Sequence, residues 1–189
     1  VDGFATGTSR LDLWPAGEKP AQGKLGAFVQ SRLAAYDDRR DLPGTNGTST
    51  LSPYLAAGVL SPRTALQAAC EANRNRFAGG AKGPDTWISE LIWREFYQQV
   101  LRAFPRVSMH RAFRPELDER VEWRDDPDAL EAWKNGMTGV PIVDGAMRQL
   151  KKTGWMHNRL RMVVAMFLSK NLLIDWREGE RHFMRHLID

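Results

Sequence analysis

The chain has 189 residues, 42% of them hydrophobic and 26% charged, which is the composition of an ordinary globular protein with one substantial core. It contains no stretch long and apolar enough to span a membrane, and its single cysteine, Cys70, excludes an internal disulfide framework and favours a reducing compartment. The net charge of +4 and the pI near 9.5 permit a polyanionic partner but do not require one.

The first segment, residues 1–20, is polar and rich in glycine, and we interpret it as a leading linker. It lacks an initiating methionine and shows no charged-then-apolar targeting pattern. The last predicted helix reaches the end of the chain without a glycine stop or a polar tail. We therefore expect the chain to be part of a longer protein, with residues 21–189 forming a partial helical domain.

The first half of the chain predicts two helices. Residues 21–36 form the first, which is followed by a polar, Gly- and Pro-containing loop over residues 37–50. Ser61 and Pro62 begin the second helix, which runs to about Arg76.

A break at residues 78–84 precedes a long helix predicted over 85–104. The later segments are an irregular connection (105–124), a short helix capped by Asp126 or Asp125 that ends near Gly136, and helices at 141–153, 160–173 and 176–188. Only residues 120–123 are candidates for extended structure. The sequence therefore predicts an all-α, multi-helix domain without internal repeats.

The segment from Thr138 to Arg161 combines a helix, a helix stop and a polar, basic cluster. Pro141 can begin the helix, and Gly154 can end it in the left-handed conformation. The cluster that follows consists of Trp155, His157, Asn158, Arg159 and Arg161. The next helix is nearly all apolar, so we expect it to be buried. Arginines at the start of a buried helix need an anionic partner, either a protein carboxylate or a phosphate-bearing ligand.

The long helix carries the sequence W-I-S-E-L-I-W-R-E-F-Y-Q-Q. Its predicted packing face consists of Trp87, Ile88, Leu91, Ile92 and Phe96. Elsewhere on the helix, Glu90 and Arg94 have the spacing of an i,i+4 salt bridge. Alternatively, together with Trp93 and Tyr97, they offer the stacking surface and phosphate contacts that bind a base extruded from DNA.

The loop G-T-N-G-T-S-T-L-S, residues 44–52, offers hydroxyls and backbone amides at a helix start. Such groups suit a phosphate, although a plain capping turn has the same composition. His182 and His186 are four residues apart on a predicted helix, as in some metal sites. The glutamate of the zinc-protease pattern and a third ligand are missing, so we predict no metal site.

Five motifs occur in order along the chain: G-T-S-x-L-S-P-Y-L, W-x-x-E-L-I-W-R-E-F-Y, G-x-T-G-x-P-x-V-D-G-A-M-R-Q-L, G-W-M-H-N-R-L-R-M and D-W-R-x-G-E. Together they resemble the FAD-binding domain of the DNA photolyase and cryptochrome family. The resemblance covers nearly the whole chain from about Tyr36. The H-N-R-L-R-M version is most similar to that of bacterial class I cyclobutane pyrimidine dimer (deoxyribodipyrimidine) photolyases.

The resemblance implies roles for particular residues. The implied cofactor-binding residues are Tyr36, Thr48, Ser49, Thr50, Leu51, Ser52, Trp87, Arg161 and Asp189, with Asp189 supplying the carboxylate that pairs with Arg161. The implied DNA-binding residues are Arg40, Glu90, Trp93, Arg94, Asn158 and Arg159. The implied catalytic residues are Glu90, Trp93 and Asn158 at the lesion, and Trp123 and Trp176 as the outer and middle members of a tryptophan relay that photoreduces the flavin.

The function implied by the resemblance is light-driven repair of cyclobutane pyrimidine dimers by electron transfer from reduced FAD. It further implies an antenna chromophore in a preceding domain, a monomer that binds dimer-containing DNA, and a cytoplasmic, nucleoid-associated location. Family residues beyond Asp189 complete the flavin site, so we expect the present residues alone to hold FAD weakly. The alternatives are a cryptochrome-type blue-light photoreceptor and a cofactor-free, helical DNA-binding module.

Overall fold

The computed structural model describes residues 12–189, and every regular element in that range is helical, which confirms the predicted all-α fold. The α-helices are α1 (Glu18–Ser31), α2 (Tyr36–Arg39), α3 (Ser52–Ala56), α4 (Pro62–Ala72), α5 (Lys82–Ala103), α6 (Pro115–Asp118), α7 (Pro127–Asn135), α8 (Pro141–Thr153), α9 (Asn158–Met166) and α10 (Trp176–His186). Two 3-10 turns, Leu33–Ala35 and Pro105–Met109, and a π-helical turn, Phe167–Asn171, complete them. Most of the predicted leading linker, residues 1–11, lies outside the described residues.

Several helix boundaries differ from those predicted. The helix α1 begins at Glu18, earlier than expected, because Pro20 is tolerated in the first turn of a helix. For the same reason α5 begins at Lys82, ahead of Pro84. At the other end of the chain, α10 stops at His186, short of the predicted end.

The predicted caps agree better with the structure. Ser61 accepts a hydrogen bond from the backbone N–H of Arg63 at the start of α4, and Asp126 does the same for Ala129 at the start of α7. Gly154 ends α8 in the left-handed conformation. Residues 120–123, the one candidate for extended structure, form no strand within the described chain.

Two hydrophobic cores lie in the two halves of the chain. The amino-terminal core contains Ala21, Leu25, Phe28, Leu33, Tyr36, Leu51, Tyr54, Leu60, Ala65, Ala69, Trp87, Ile88 and Leu91. The carboxy-terminal core contains Trp133, Val143, Ala146, Met147, Leu150, Met156, Val164, Leu168 and Ile174. Each fully buried Leu, Phe or Met contributes about 1.5–3 kcal/mol to folding, so these two sets fix the helix arrangement.

The surface departs from the sequence prediction at two helices. The helix α9 was expected to be buried, yet its residues Met162 and Met166 are each 48% exposed. On α5, Ile92 and Phe96 were assigned to the packing face and are about half exposed. An apolar pattern shows that a helix has an apolar face but not whether another element covers it. Among residues 12–189, no helix has the length and apolar character needed to cross a membrane.

The two halves meet along a boundary that we call the seam. Its polar contacts join Trp14 Nε1 to the Thr153 carbonyl oxygen (2.8 Å), Trp155 Nε1 to Ser52 Oγ (3.2 Å), and Arg159 Nε and Nη2 to the two Asp41 carboxylate oxygens (2.8 and 3.0 Å). The rings of Trp14 and Trp155 also contact each other. The seam therefore brings the loop before α3 next to the start of α9.

The start of α5 is fixed by a close backbone crossing. A Cβ atom at Gly83 would overlap the carbonyl oxygens of Leu33 and Ala34 in the 3-10 turn. Only glycine permits this approach. The crossing sets the position of α5 relative to α2, which directly follows that turn.

Candidate functional site

The loop from Thr48 to Ser52 turns sharply before α3. Thr50 adopts the left-handed conformation (φ 53°), and its hydroxyl donates to the Ser49 carbonyl oxygen (2.7 Å). The backbone N–H of Leu51 donates to Ser49 Oγ (3.4 Å), and Ser52 Oγ accepts from Trp155 across the seam. The loop thus gathers four hydroxyls and the start of a helix at the seam.

The loop is held against α2 and α1. A Cβ atom at Gly47 would overlap the Arg39 carbonyl oxygen, so glycine is required for this close approach. Arg32 Nη1 donates to the Thr48 carbonyl oxygen (3.0 Å) and to Asn46 Oδ1 (2.5 Å). These contacts position the hydroxyl-bearing residues.

The ion-pair partner of Glu90 is Arg40, not Arg94. Arg40 Nη1 donates to Glu90 Oε1 (2.5 Å). Arg94 Nη2 instead donates to the Leu55 carbonyl oxygen (3.3 Å), and its Nη1 pairs with Glu95 (3.1 Å). The predicted i,i+4 salt bridge between Glu90 and Arg94 is therefore wrong, and Glu90 instead connects α5 to the end of α2.

Tyr36 lies beneath this ion pair, in the amino-terminal core. Its ring is 5.6 Å from the Arg40 guanidinium and contacts Phe28 edge to face. Burial raises the pKa of Tyr36 to about 12, against a smaller lowering by Arg40. Trp87, also expected to line the cofactor cavity, packs on Phe28 with ring centroids 4.8 Å apart and is almost fully buried.

Arg159 and Asp41 form a two-point ion pair at the surface of the seam. Hydrogen bonds from the Arg159 guanidinium lower the pKa of the Asp41 carboxyl, and the same pairing raises the pKa of Arg159. Asp41 Oδ1 also lies 3.5 Å from Arg40 Nε. One carboxylate therefore serves two arginines, in a charged chain that continues through Arg40 to Glu90.

His157 caps the amino end of α9. Its Nδ1 accepts from the backbone N–H of Arg159 (3.1 Å), so in the neutral ring the hydrogen is carried by Nε2. The side chain is 3% exposed. Burial is the main cause that lowers the pKa of His157. Asn158, the first residue of α9, is exposed beside it.

Arg161 pairs with Asp189, as the family resemblance implied. Arg161 Nη2 lies 2.8 Å from both Asp189 carboxylate oxygens, and Arg161 Nε donates to the Met156 carbonyl oxygen (2.9 Å). The Asp189 side chain is only 4% exposed. Both arginines at the start of α9 thus bind protein carboxylates, which is the first of the two partners predicted for them.

Trp93 lies on the exposed face of α5, one turn after Glu90. Its side chain is 49% exposed and stacks on Tyr97, with ring centroids 5.9 Å apart, while Phe96 meets it edge to face at 5.4 Å. Residues three apart on a helix lie on the same face, so the Glu90 carboxylate and the Trp93 ring are neighbours on the surface of α5.

The two tryptophans of the implied relay lie elsewhere. Trp176, the first residue of α10, donates from Nε1 to Asp118 Oδ1 (2.8 Å), and its ring is 4.5 Å from the Arg177 guanidinium. Trp123 is half-buried in the connection between α6 and α7. The hydrogen bond of Trp176 joins α10 to α6 and not to the seam, and the relay role of both tryptophans stays a prediction.

His182 and His186 stack with ring centroids 4.1 Å apart on α10. His186 Nδ1 lies 2.8 Å from the His182 carbonyl oxygen. Within residues 12–189, no three His, Cys, Asp or Glu side chains converge as metal ligands would. Burial, with a smaller effect of His186, lowers the pKa of His182 to about 4.

The structure brings most of the predicted site residues to the seam or to the face of α5 beside it. Sequence reasoning missed the part played by Asp41, which was assigned only to a polar loop. It also gave no role to the His157 cap or to the Trp155–Ser52 hydrogen bond. The signal that could have found Asp41 is the need of Arg159 for an anionic partner.

Comparisons with known proteins identify the family of this chain. Residues 87–189 match the family model described as the FAD binding domain of DNA photolyase. The chain is 51% identical over 176 residues to the deoxyribodipyrimidine photo-lyase of Escherichia coli, a match that covers 93% of this chain and 37% of that protein.

Two solved structures are similar to this one. A bacterial class III photolyase from Agrobacterium tumefaciens has a TM-score of 0.87 and 43% identity, covering 94% of this chain and 36% of that one. A cryptochrome from Synechocystis sp. has a TM-score of 0.78 and 34% identity, covering 92% of this chain and 36% of that one.

The chain therefore spans little more than a third of these relatives, whose matched parts cover 37% and 36% of their lengths. The family model itself covers more than half of this chain, from α5 to Asp189. The matched residues include Glu90, the His157 cap and the Arg161–Asp189 pair. The chain belongs to the family of FAD-binding domains of DNA photolyases.

Proposed function

We propose that this chain is the FAD-binding and lesion-binding part of a light-driven enzyme that repairs cyclobutane pyrimidine dimers in DNA. The observation that carries the proposal is the surface at the seam and on α5. There a half-exposed indole ring, a carboxylate and two guanidinium groups occur together: Trp93, Glu90, Arg40 and Arg159. These are groups that stack on an extruded base, bind its polar edge and neutralise phosphates.

The residues present fit FAD in three respects. The hydroxyls of the Thr48–Ser52 loop, at the start of α3, suit a diphosphate. The Arg161–Asp189 pair, whose carboxylate is buried, supplies fixed charge near the carboxy-terminal core. The Tyr54 hydroxyl is a buried polar group without a hydrogen-bond partner in the described chain, as expected where a polar ligand belongs.

Within this proposal Thr48, Ser49, Thr50 and Ser52 hold the diphosphate. Leu51, Tyr36 and Trp87 form the apolar wall behind the cofactor, and Arg161 with Asp189 fixes charge beside the ring system. When bound in its reduced form and excited by light, FAD supplies the electron that opens the cyclobutane ring and takes it back afterwards. The protein contributes position, exclusion of water and a fixed electrostatic field.

On the DNA side, Trp93 stacks on the extruded dimer and Glu90 accepts hydrogen bonds from its base edges. Asn158, exposed at the start of α9, binds the lesion from the other side of the seam. Arg40 and Arg159 bind backbone phosphates. Arg94 extends this basic surface along α5.

Two further elements belong to the same proposal. Trp123 and Trp176 carry electrons toward the flavin when it needs reduction, and an antenna pigment in a preceding domain collects light. Both follow from the family resemblance. The relay is tested separately from repair, by whether Trp176→Phe slows photoreduction of the flavin while sparing repair by chemically reduced protein.

The test of the proposed function is a titration with FAD, followed by binding of a duplex that contains a single thymine dimer. We expect saturable quenching of flavin fluorescence that Ser49→Ala and Arg161→Gln weaken. Trp93→Ala should then weaken dimer binding about 10- to 100-fold, since base stacking contributes about 1–3 kcal/mol, without changing FAD uptake. Phe104→Ala, a change of another exposed aromatic residue at the end of α5, is the matched control.

The alternatives give different results. A photoreceptor of the cryptochrome type would take up FAD but not repair the dimer under blue light. A cofactor-free DNA-binding module would bind duplex in a salt-sensitive way, with no flavin uptake and no preference for the dimer. Unchanged dimer affinity in Trp93→Ala would remove the lesion-binding role from α5.

A further inference from the structure

The two arginines proposed to bind DNA phosphates each form an ion pair with a carboxylate of the protein. Arg40 is paired with Glu90, and Arg159 is paired with Asp41. Asp41 also lies 3.5 Å from Arg40, so it is the acid common to both. A phosphate that binds Arg159 through the same two donors, Nε and Nη2, must replace Asp41.

We propose that Asp41 is a displaceable substitute for a DNA phosphate, which occupies Arg159 in the free protein and limits the affinity for DNA. The inference rests on the proposed function, because it concerns how the same surface meets the DNA backbone. It assigns Asp41 a positioning role, exerted through Arg159, that sequence reasoning did not find.

The geometry of the pair is that of a phosphate contact. Arg159 donates from Nε and from Nη2 to the two oxygens of Asp41, at 2.8 and 3.0 Å. A phosphate offers two oxygens to the same side of a guanidinium in the same two-point way. The site on Arg159 is therefore already shaped for a phosphodiester.

Because the Arg159–Asp41 pair is exposed, replacing Asp41 by a phosphate costs little free energy. The side chains of Arg159 and Asp41 are 43% and 49% exposed. Ion pairs at such exposure add little to stability, because water screens them and competes for their hydrogen bonds. A carboxylate that leaves Arg159 here is rehydrated at once, whereas one leaving a buried arginine is not.

Position adds a second argument. Asp41 follows Arg40 at the end of α2, whereas Arg159 belongs to the first turn of α9, across the seam. The bond holds Arg159 beside Arg40, where two successive phosphates of one strand can meet both guanidinium groups. Asp41 thus organises the pair of arginines while it weakens their attraction for a polyanion.

The experiment is a double-mutant cycle in the full-length, FAD-loaded protein. Asp41→Asn, Arg159→Gln and the double variant are compared by fluorescence anisotropy with an undamaged 15-base-pair duplex over a series of salt concentrations. Glu122→Gln, an exposed acid in the connection after α6, is the control for a change of net charge alone.

We expect Asp41→Asn to tighten binding about three- to tenfold at low salt and to steepen the salt dependence, because Arg159 no longer exchanges one anion for another. In the Arg159→Gln background the Asp41 change should have no more effect than Glu122→Gln. A tightening that persists without Arg159 or that Glu122→Gln reproduces would overturn the proposal. A loss of affinity in Asp41→Asn would also overturn it, because that result would mean that the bond between Asp41 and Arg159 supports DNA binding.

The cycle is separable from the test of the proposed function. It uses undamaged DNA, so it gives an answer even if the wild-type protein shows no preference for the thymine dimer. Conversely, if Asp41→Asn leaves the affinity for the undamaged duplex unchanged, the proposal about Asp41 is overturned. The proposed function is not, as long as the wild type takes up FAD and prefers the dimer.

Discussion

Two arginines on one turn of α9 have opposite surroundings. Arg161 is bound to a carboxylate that is 4% exposed, at the carboxy-terminal core, whereas Arg159 is bound to one that is 49% exposed, across the seam. Both pairs have similar distances, 2.8 Å between the nearest donor and acceptor atoms. Burial, not bond length, therefore decides what each pair does.

The difference follows from the cost of dehydrating a charge. A buried carboxylate that loses its cation remains in a poorly solvated place, so its pair is a permanent part of the fold. An exposed carboxylate that loses its cation is rehydrated, so its pair can be exchanged for a ligand. One short helix start thus combines a fixed ion pair with an exchangeable one.

The largest expected effect is that of Arg161→Gln. It leaves the buried Asp189 carboxylate without its cation, and we expect a loss of about 2–4 kcal/mol in the free energy of unfolding. The melting temperature should fall by several degrees, as measured by circular dichroism. The matched control is Arg159→Gln, the same change two residues earlier, which should leave the melting temperature unchanged. Equal effects of the two variants would abolish the contrast.

A smaller effect is expected at the cap that both arginines share. His157→Ala removes the acceptor for the Arg159 backbone N–H and leaves a cavity, which should cost about 1–3 kcal/mol. His157→Asn keeps an acceptor near the same place and should recover part of the loss. Urea unfolding measures both variants. If alanine were tolerated as well as asparagine, the cap would have no energetic importance.

Acid should destabilise the fold through His157, which is buried, and His182, which is half-buried, and leave the Arg159–Asp41 ion pair intact. The pKa values of His157 and His182 are lowered in the fold, that of His182 to about 4. As the pH falls below about 6.5, the unfolded chain binds protons that the folded rings do not, so the stability decreases toward pH 4.

The pKa of Asp41 is lowered, so its pairing with Arg159 persists through this window. Urea midpoints between pH 7.5 and 4.5 should fall less in His182→Asn than in the wild type. An identical pH dependence in the two proteins would show that His182 does not titrate as the structure indicates.

The smallest effect on stability is expected from Asp41→Asn. Because the ion pair is exposed, its loss should leave the melting temperature within about one degree of the wild type. The same measurement on Asp189→Asn, where the carboxylate is buried, should show a clear decrease. A decrease of several degrees in Asp41→Asn would show that the Arg159–Asp41 ion pair stabilises the fold. The argument that a phosphate can readily replace Asp41 would then fail.

Helix caps were predicted well from sequence, because caps act locally, even though the starts of α1 and α5 and the end of α10 differ from the prediction. Ser61 and Gly154 were each assigned correctly from one or two neighbouring residues, and Asp126 was one of the two candidates for its cap. Burial was predicted less well, since it depends on elements distant in the chain. Met162 and Phe96 have apolar spacing, yet no helix of the described chain covers them fully.

The candidate site shows the same division. The Arg161–Asp189 pair was expected because the family resemblance implied it, and its geometry confirms the pairing. The partner of Glu90 was not found, since Arg94 satisfied the local spacing while Arg40 lies 50 positions away. Contacts between distant segments carry no periodicity, so single-sequence reasoning can name the charged residues but not pair them.

The Gly83 crossing has a mechanical consequence for any attempt to redesign this surface. The 22-residue helix α5 is a rod about 33 Å long, held at one end where it touches the 3-10 turn before α2. Glu90 and Trp93 lie about 10–15 Å along the rod from that hinge point. A larger residue at position 83 would tilt the rod and displace both side chains in the same direction. The orientation of Glu90 and Trp93 thus depends on a glycine at the start of the helix.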